Sequence, residues 1–320
     1  MKKTLTTLLT LLLVMAITAC ASEKIKHPGK TATHNYNCTG FTAIDCNAPV
    51  TIHYTQASTY AVRLVTNTDW QPKITVKGKT LHIERTASNI SLPSDNVTDL
   101  YISSPDLYSV SLSSATDFQT AKIKSDRLKL TTSGATSITA GDLDCGTFIL
   151  DTQGATDLTV GKLAAKTADI TTAGAADITV TSAHCNTLKG NIAGAGDLIL
   201  KTVTAGLLDL QSSGSSDVTA NATAKTVNIS ASGASTHKLH IKADKANIAL
   251  TGSGDANLAY QGGTLNLSTA GSSDVEASVT CTTVNASCYG ASDITLKGTA
   301  KNLTTDGQKD NIDTSKLRRN

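Results

Sequence analysis

Ser213–Val218 reads SGSSDV, a small polar corner running into an apolar residue. The same corner returns as QGATDL (Gln153–Leu158), AGAADI (Ala173–Ile178), AGAGDL (Ala193–Leu198), AGSSDV (Ala270–Val275) and YGASDI (Tyr289–Ile294). Its glycines stand at Gly134, Gly154, Gly174, Gly194, Gly214, Gly233, Gly252, Gly271 and Gly290, in four steps of 20 residues and then four of 19. Ser114 occupies the place of one more, 20 residues before Gly134, so ten corners bound nine units. Self-similarity at such a period marks a repeat architecture.

Apolar residues keep the same register. One column runs through Phe148, Leu188, Leu208, Val227, Leu265 and Val284, and a second, two residues later, through Leu150, Ile170, Leu210, Ile229, Ile248 and Leu267. A third follows the corner at Ile138, Leu158, Ile178, Leu198, Val218, Val275 and Ile294, with a fourth two residues beyond it. Spacing of i, i+2 with Thr, Ser, Asp or Lys between is the strand period, and helical spacing fits nowhere in the repeats. Short strands, Gly-rich corners and a 19–20 residue unit predict an all-β chain, a single-stranded parallel β-helix (β-solenoid) with one coil per unit. At about 4.8 Å per coil the repeat region would be about 43 Å long. Right-handed winding is expected from the handedness of parallel crossovers.

Composition agrees. Of 320 residues, 39% are hydrophobic and only 3% aromatic, which suits a thin stacked core rather than a thick globular one. The 28 basic and 26 acidic residues nearly cancel, so nothing in the charge points to nucleic acid or to an anionic surface. The N-terminus, MKKTLTTLLTLLLVMAITAC, has a basic start, an apolar run too short to span a bilayer and small residues before Cys20. The ending ITAC resembles a bacterial lipobox, which implies cleavage before Cys20 and lipidation of that cysteine. With Ala21 rather than an acidic residue next, outer-membrane placement is expected, facing the periplasm or the cell surface. The expected organisation is signal peptide 1–19, lipidated Cys and flexible tether 20–36, an N-terminal β section 37–113 capping the solenoid, the repeat solenoid 114–305 and a polar tail 306–320, either loose or a short helix.

Upstream of Ser114, alternation continues without the strict period, in VTIHYTQ (Val50–Gln56), YAVRLVT (Tyr60–Thr66) and KITVKGKTLHIE (Lys73–Glu84). The stretches GFTAIDCNAPVTIHYTQASTYAVRLVTN (Gly40–Asn67), GKTLHIE (Gly78–Glu84) and LYISSPDLYSVSLSSATDF (Leu100–Phe118), with the later corners, resemble the putative auto-transporter adhesin, head GIN domain family. The likeness runs from about Asn37 to Leu303. It implies a β-helical, secreted or lipid-anchored envelope protein and supplies no catalytic residues. Cys38 and Cys46 depart from the family pattern.

Candidates for chemistry are few. The corner acids Asp157, Asp177, Asp197 and Asp217 would stack about 5 Å apart, where like charges repel. A hard cation such as Ca2+ would relieve that repulsion. The alternative is that each carboxylate accepts a backbone N–H at a corner whose glycine takes a positive φ. Apart from Cys20, six cysteines remain. Cys145 and Cys185 share a column two coils apart, about 10 Å, beyond disulfide reach. Cys38 and Cys46 could bridge only if a turn separates them, and Cys281 and Cys288 could meet across a coil. His237 stands in an apolar column, where Thr236 replaces the corner acid. It reads as an acid–base group beside Asp217 and Asp255, or as a register shift or half-exposed imidazole. Tyr54, Tyr60 and Trp70 fall in the only aromatic-rich section, so a glycan or protein ligand is expected there first. No G-x-S-x-G, P-loop, H-E-x-x-H or dinucleotide fingerprint occurs. These features point to a non-catalytic cell-envelope lipoprotein, an adhesin, binding or scaffold module with a Thr/Ser/Asp-lined face, its membrane partner reached through Cys20 and no cofactor needed. The alternatives are a polysaccharide-processing β-helix enzyme, which needs clustered acids rather than one per coil, and an envelope-stress or regulatory component.

Overall fold

The computed structural model describes residues 30–86, 96–308 and 311–319, together with the backbone of Glu23–Lys24 (β1) and Ile90–Ser91 (β8), which pair in parallel. Cys20 and the signal-like segment lie outside the described residues. The chain is an all-β solenoid of about 11 turns, stacked in parallel.

The repeats form β11 (Thr116–Gly194), which winds through four coils without a break, and then β12 (Leu198–Gly214), β13 (Val218–Gly233), β14 (Thr236–Gly252), β15 (Asp255–Gly271), β16 (Val275–Gly290), β17 (Ile294–Gly307) and β18 (Ile312–Arg319). Each pairs in parallel with the next. The coil has three faces because alternation of buried and exposed residues breaks three times per unit. In the coil after Gly154, Thr156, Leu158 and Val160 point inward, then Leu163 and half-buried Ala165 after two outward residues, then Ala168, Ile170 and Thr172 after two more. We call these the first, second and third faces. One coil buries only a handful of small aliphatic chains and cannot stand alone, whereas stacking joins those columns into one core.

The change of period has a single location. Leu200 pairs with Ala220 at a spacing of 20, but Val203 pairs with Ala222 at 19, so Lys201 and Thr202 face Asn221 alone. A residue is lost at the corner between first and second faces, and every later coil as far as β17 keeps the shorter turn, with a further register shift only where β18 joins β17. At Gly194, φ is +124° and an added Cβ would stand 2.1 Å from the Gly174 carbonyl oxygen. Ser114, at φ +74°, is the one described non-glycine residue in that half of conformational space. The column therefore has two reasons for glycine, backbone conformation and the close approach of stacked corners.

The N-terminal section belongs to the same sheet. It comprises β2 (Ala32–Tyr36), β3 (Ala43–Cys46), β4 (Thr51–Gln56), β5 (Ala61–Thr66), β6 (Lys73–Lys77), β7 (Thr80–Glu84), β9 (Thr98–Ser104) and β10 (Ser109–Ser113). On the third face the order is β11, β10, β3, β7, β6; on the first it is β11, β4, β9, β5, β2. The layer built from β3 and β4 thus lies between the repeats and the layer built from β7 and β9, inverting chain order. Only β2, β5 and β6 are not parallel: β6 closes on β7, and β5 on β9, antiparallel. These strands cover the parallel edge that would otherwise invite pairing with another chain. Over the second face, the Gln56 amide does the same, donating to the Lys124 carbonyl at 2.9 Å and accepting its N–H at 2.8 Å. Two boundaries differ from expectation. Ala32–Tyr36, in the stretch read as tether, is strand β2, and Ile312–Arg319, read as loose tail or helix, adds a further strand on β17. In both, backbone pairing with an existing layer outweighs a polar sequence lacking an apolar face.

Candidate functional site

Stacking turns each position of the repeat into a column. On the first face the corner acids lie in line, and four of the carboxylates accept a hydrogen bond from the coil that follows. Asp177 Oδ1 accepts the backbone N–H of Asp197 at 3.0 Å, Asp217 that of Thr236 at 2.8 Å, Asp255 that of Asp274 at 3.2 Å, and Asp274 that of Asp293 at 3.1 Å. The acceptor therefore serves the next coil rather than its own turn. Among the described residues no group of three or more His, Cys, Asp or Glu side chains is arranged to hold a metal.

The residue just before each acid turns inward. Ser216 is fully buried, and its hydroxyl donates to the carbonyls of Gly194 at 3.2 Å and Ser213 at 3.4 Å. Thr116, Thr136, Thr156, Ser273 and Ser292 occupy the same interior column. His237 is in register between Val218 and Ala256 and fully buried, with Nε2 2.9 Å from the Ser212 hydroxyl. Burial pulls its pKa down, opposed by Asp217 and the Ser235 carbonyl. A sealed, neutral imidazole has no route to a substrate, so neither the register shift nor the half-exposed ring describes it.

Two outward features escaped the sequence reading. On the third face Asn228, Asn247, Asn266 and Asn285 form a ladder in which each later Nδ2 donates to the preceding Oδ1, at 2.8, 2.7 and 2.8 Å. The signal was present, an Asn every 19 residues between two apolar columns. The second lies where the first face meets the cap. Cross-strand pairing aligns Asn35, Arg63, Tyr101, His53 and Gln119 in one outward row. The His53 and Tyr101 rings stack with centroids 4.7 Å apart at 17°, and Arg63 Cζ sits 4.3 Å from the Tyr101 centroid. Asp99 Oδ1, 3.2 Å from His53 Nε2, fixes the imidazole. Beside the row, over Ala61, Thr55 and Ser103, opens a cleft of about 290 Å³.

The aromatic residues singled out from the sequence sit behind this surface. Tyr54 is buried, its hydroxyl 3.0 Å from that of Ser104 and its ring stacked on Phe118 at 6.2 Å. Trp70 is buried and donates from Nε1 to Thr86 at 2.8 Å. Tyr60 is half-buried, edge-on to Phe41 at 5.1 Å. Strand alternation explains the offset: His53 faces out because Tyr54 faces in. All six described cysteines are free thiols. Burial pushes Cys46 and Cys185 up to about 11 and Cys145 up to about 12, so these three remain protonated packing residues.

The family model described as "Putative auto-transporter adhesin, head GIN domain" matches residues 40–200, 164–262 and 259–318. No curated protein matches the chain. Among solved structures, a putative adhesin from Parabacteroides merdae is 15% identical, covering 90% of this chain and 100% of its own, with a TM-score of 0.49. A putative adhesin from Parabacteroides distasonis is 13% identical, covering 89% and 100%, with a TM-score of 0.49. A putative lipid binding protein from the same species is 12% identical, covering 88% and 99%, with a TM-score of 0.47.

Proposed function

This chain belongs to the putative auto-transporter adhesin, head GIN domain family, and from that premise we propose that it is a non-catalytic binding module of the cell envelope, tethered to the outer membrane by lipid on Cys20. The observation that carries the reading is the first face of the solenoid. There the corner acids Asp157, Asp177, Asp197 and Asp217 stand in line beside a second outward column of Thr139, Thr159, Thr179 and Thr219, which Ile199 alone interrupts. A parallel stack holds these groups rigid at the strand spacing, about 4.8 Å. An extended partner meets many weak, equivalent contacts without paying to order them, and affinity grows with the number of coils engaged.

The anchor is supported by the ITAC ending and the apolar run before it. Several acyl chains, at about 0.8 kcal/mol per buried methylene, hold a protein on a membrane where a single chain does not. Cys20→Ala is expected to move the protein from the membrane to the soluble fraction on cell fractionation, and retention at the membrane would defeat the anchor. Binding is tested with the full chain on a panel of glycans and matrix proteins. Thr139→Lys/Thr159→Lys, both at exposed positions, should reduce binding without lowering the melting temperature. Release of sugars from a polysaccharide by the purified protein would overturn the non-catalytic reading.

A further inference from the structure

We propose that the cleft beside Arg63 and Tyr101, at the capped end of the first face, binds a carboxylate-bearing sugar. Arg63 makes no hydrogen bond or ion pair with any described residue and is held only by stacking over Tyr101. The contact holds the guanidinium over the ring and leaves its N–H groups without a described partner, able to take a carboxylate through two parallel hydrogen bonds. His53 does not compete for the anion, because Asp99 already engages it at 3.2 Å. It acts as a rigid backing for the Tyr101 ring. The floor at Ala61 is small, and the Thr55 hydroxyl, the Asn35 amide and the partly exposed Tyr101, at 37%, offer polar edges around it. Such a mixture of a small apolar floor and surrounding polar groups suits a pyranose ring. The cleft lies on the outward face of β5 and β9, each paired on both sides, so a peptide adding as a strand would sit on the open edge of β2 and not in the cleft. The cleft of about 290 Å³ has room for one sugar unit and its nearest linkage rather than for an acyl chain.

This site is separate from the repeat columns, so it stands or falls independently of multivalent contact along the Thr and Asp face. The purified full chain in detergent is titrated with galacturonate, galactose and acetate, followed by calorimetry. Galacturonate should bind about tenfold or more tightly than either galactose or acetate, equivalent to one order of magnitude in Kd. Arg63→Gln and Tyr101→Ala should each abolish that preference while keeping the melting temperature, and Arg63→Lys should weaken galacturonate about tenfold because a lysine cannot make the paired contact. Thr159→Lys should leave galacturonate binding intact. No galacturonate binding, equal affinity for galactose or acetate, or an unaffected Arg63→Gln variant would each overturn the proposal.

Discussion

At Gly194 two constraints coincide, a φ of +124° and a neighbouring carbonyl 2.1 Å from where a Cβ would stand. Gly194→Ala is therefore expected to destabilise the chain by about 2–3 kcal/mol, read from chemical denaturation. A loss below about 0.5 kcal/mol would show that the corner relaxes easily. His237 supplies a second test. Its folded-state pKa is lowered from the ordinary 6.5 by burial, so the folded protein holds the neutral ring and the unfolded chain takes up the proton first. Stability is then unaffected well above 6.5 and is lost as pH falls below it. His237→Val, matching the Val218 neighbour, should flatten the decline in melting temperature between neutral and mildly acidic pH. Its stability at neutral pH should itself drop by about 1–3 kcal/mol, because Ser212 loses its partner. A pH slope equal to that of the parent would contradict the burial argument.

At the scale of the elements, the coil is stabilised by columns rather than by local turns. The corner carboxylates Asp177, Asp217, Asp255 and Asp274 illustrate this, since each of these accepts from the coil that follows. The Asn ladder is the same device on the third face. Asn247 donates to Asn228 and accepts from Asn266, so Asn247→Ala removes two bonds on a half-buried surface. The expected cost is about 1–2 kcal/mol, against about 0.5 kcal/mol for Asn302→Ala, whose single bond to Thr283 is 3.3 Å long and exposed. Equal effects in urea denaturation would mean the ladder adds nothing beyond isolated bonds. The repeat columns were legible because the 19–20 residue period fixes which residues stack. The direction of Ser216 was not, since a small hydroxyl suits both an exposed corner and a buried one whose carbonyls need donors.

For the whole molecule, the cap and the repeats form one continuous sheet, and the proposed sugar cleft lies on the cap side of their junction. Tyr54 and Trp70 drew attention because aromatic residues are scarce, yet they are spent on the core of the cap. The exposed row of Arg63, Tyr101 and His53 draws on three strands, each from a different part of the chain. Two of its pairings are non-local and one is antiparallel, so no spacing in the sequence announces it.

The sequence by itself determined the solenoid, its period, its core columns and its corner glycines, because a parallel stack places each residue directly over its counterpart one period later. Periodicity in the chain is then periodicity in space. Only the tertiary structure decided the inverted layer order of β3–β4 and β7–β9, the fully buried His237 and the outward row at Tyr101. Those features depend on which strands meet once the strict period ends, and that is settled by pairing every exposed backbone edge and burying every apolar face at the end of the stack.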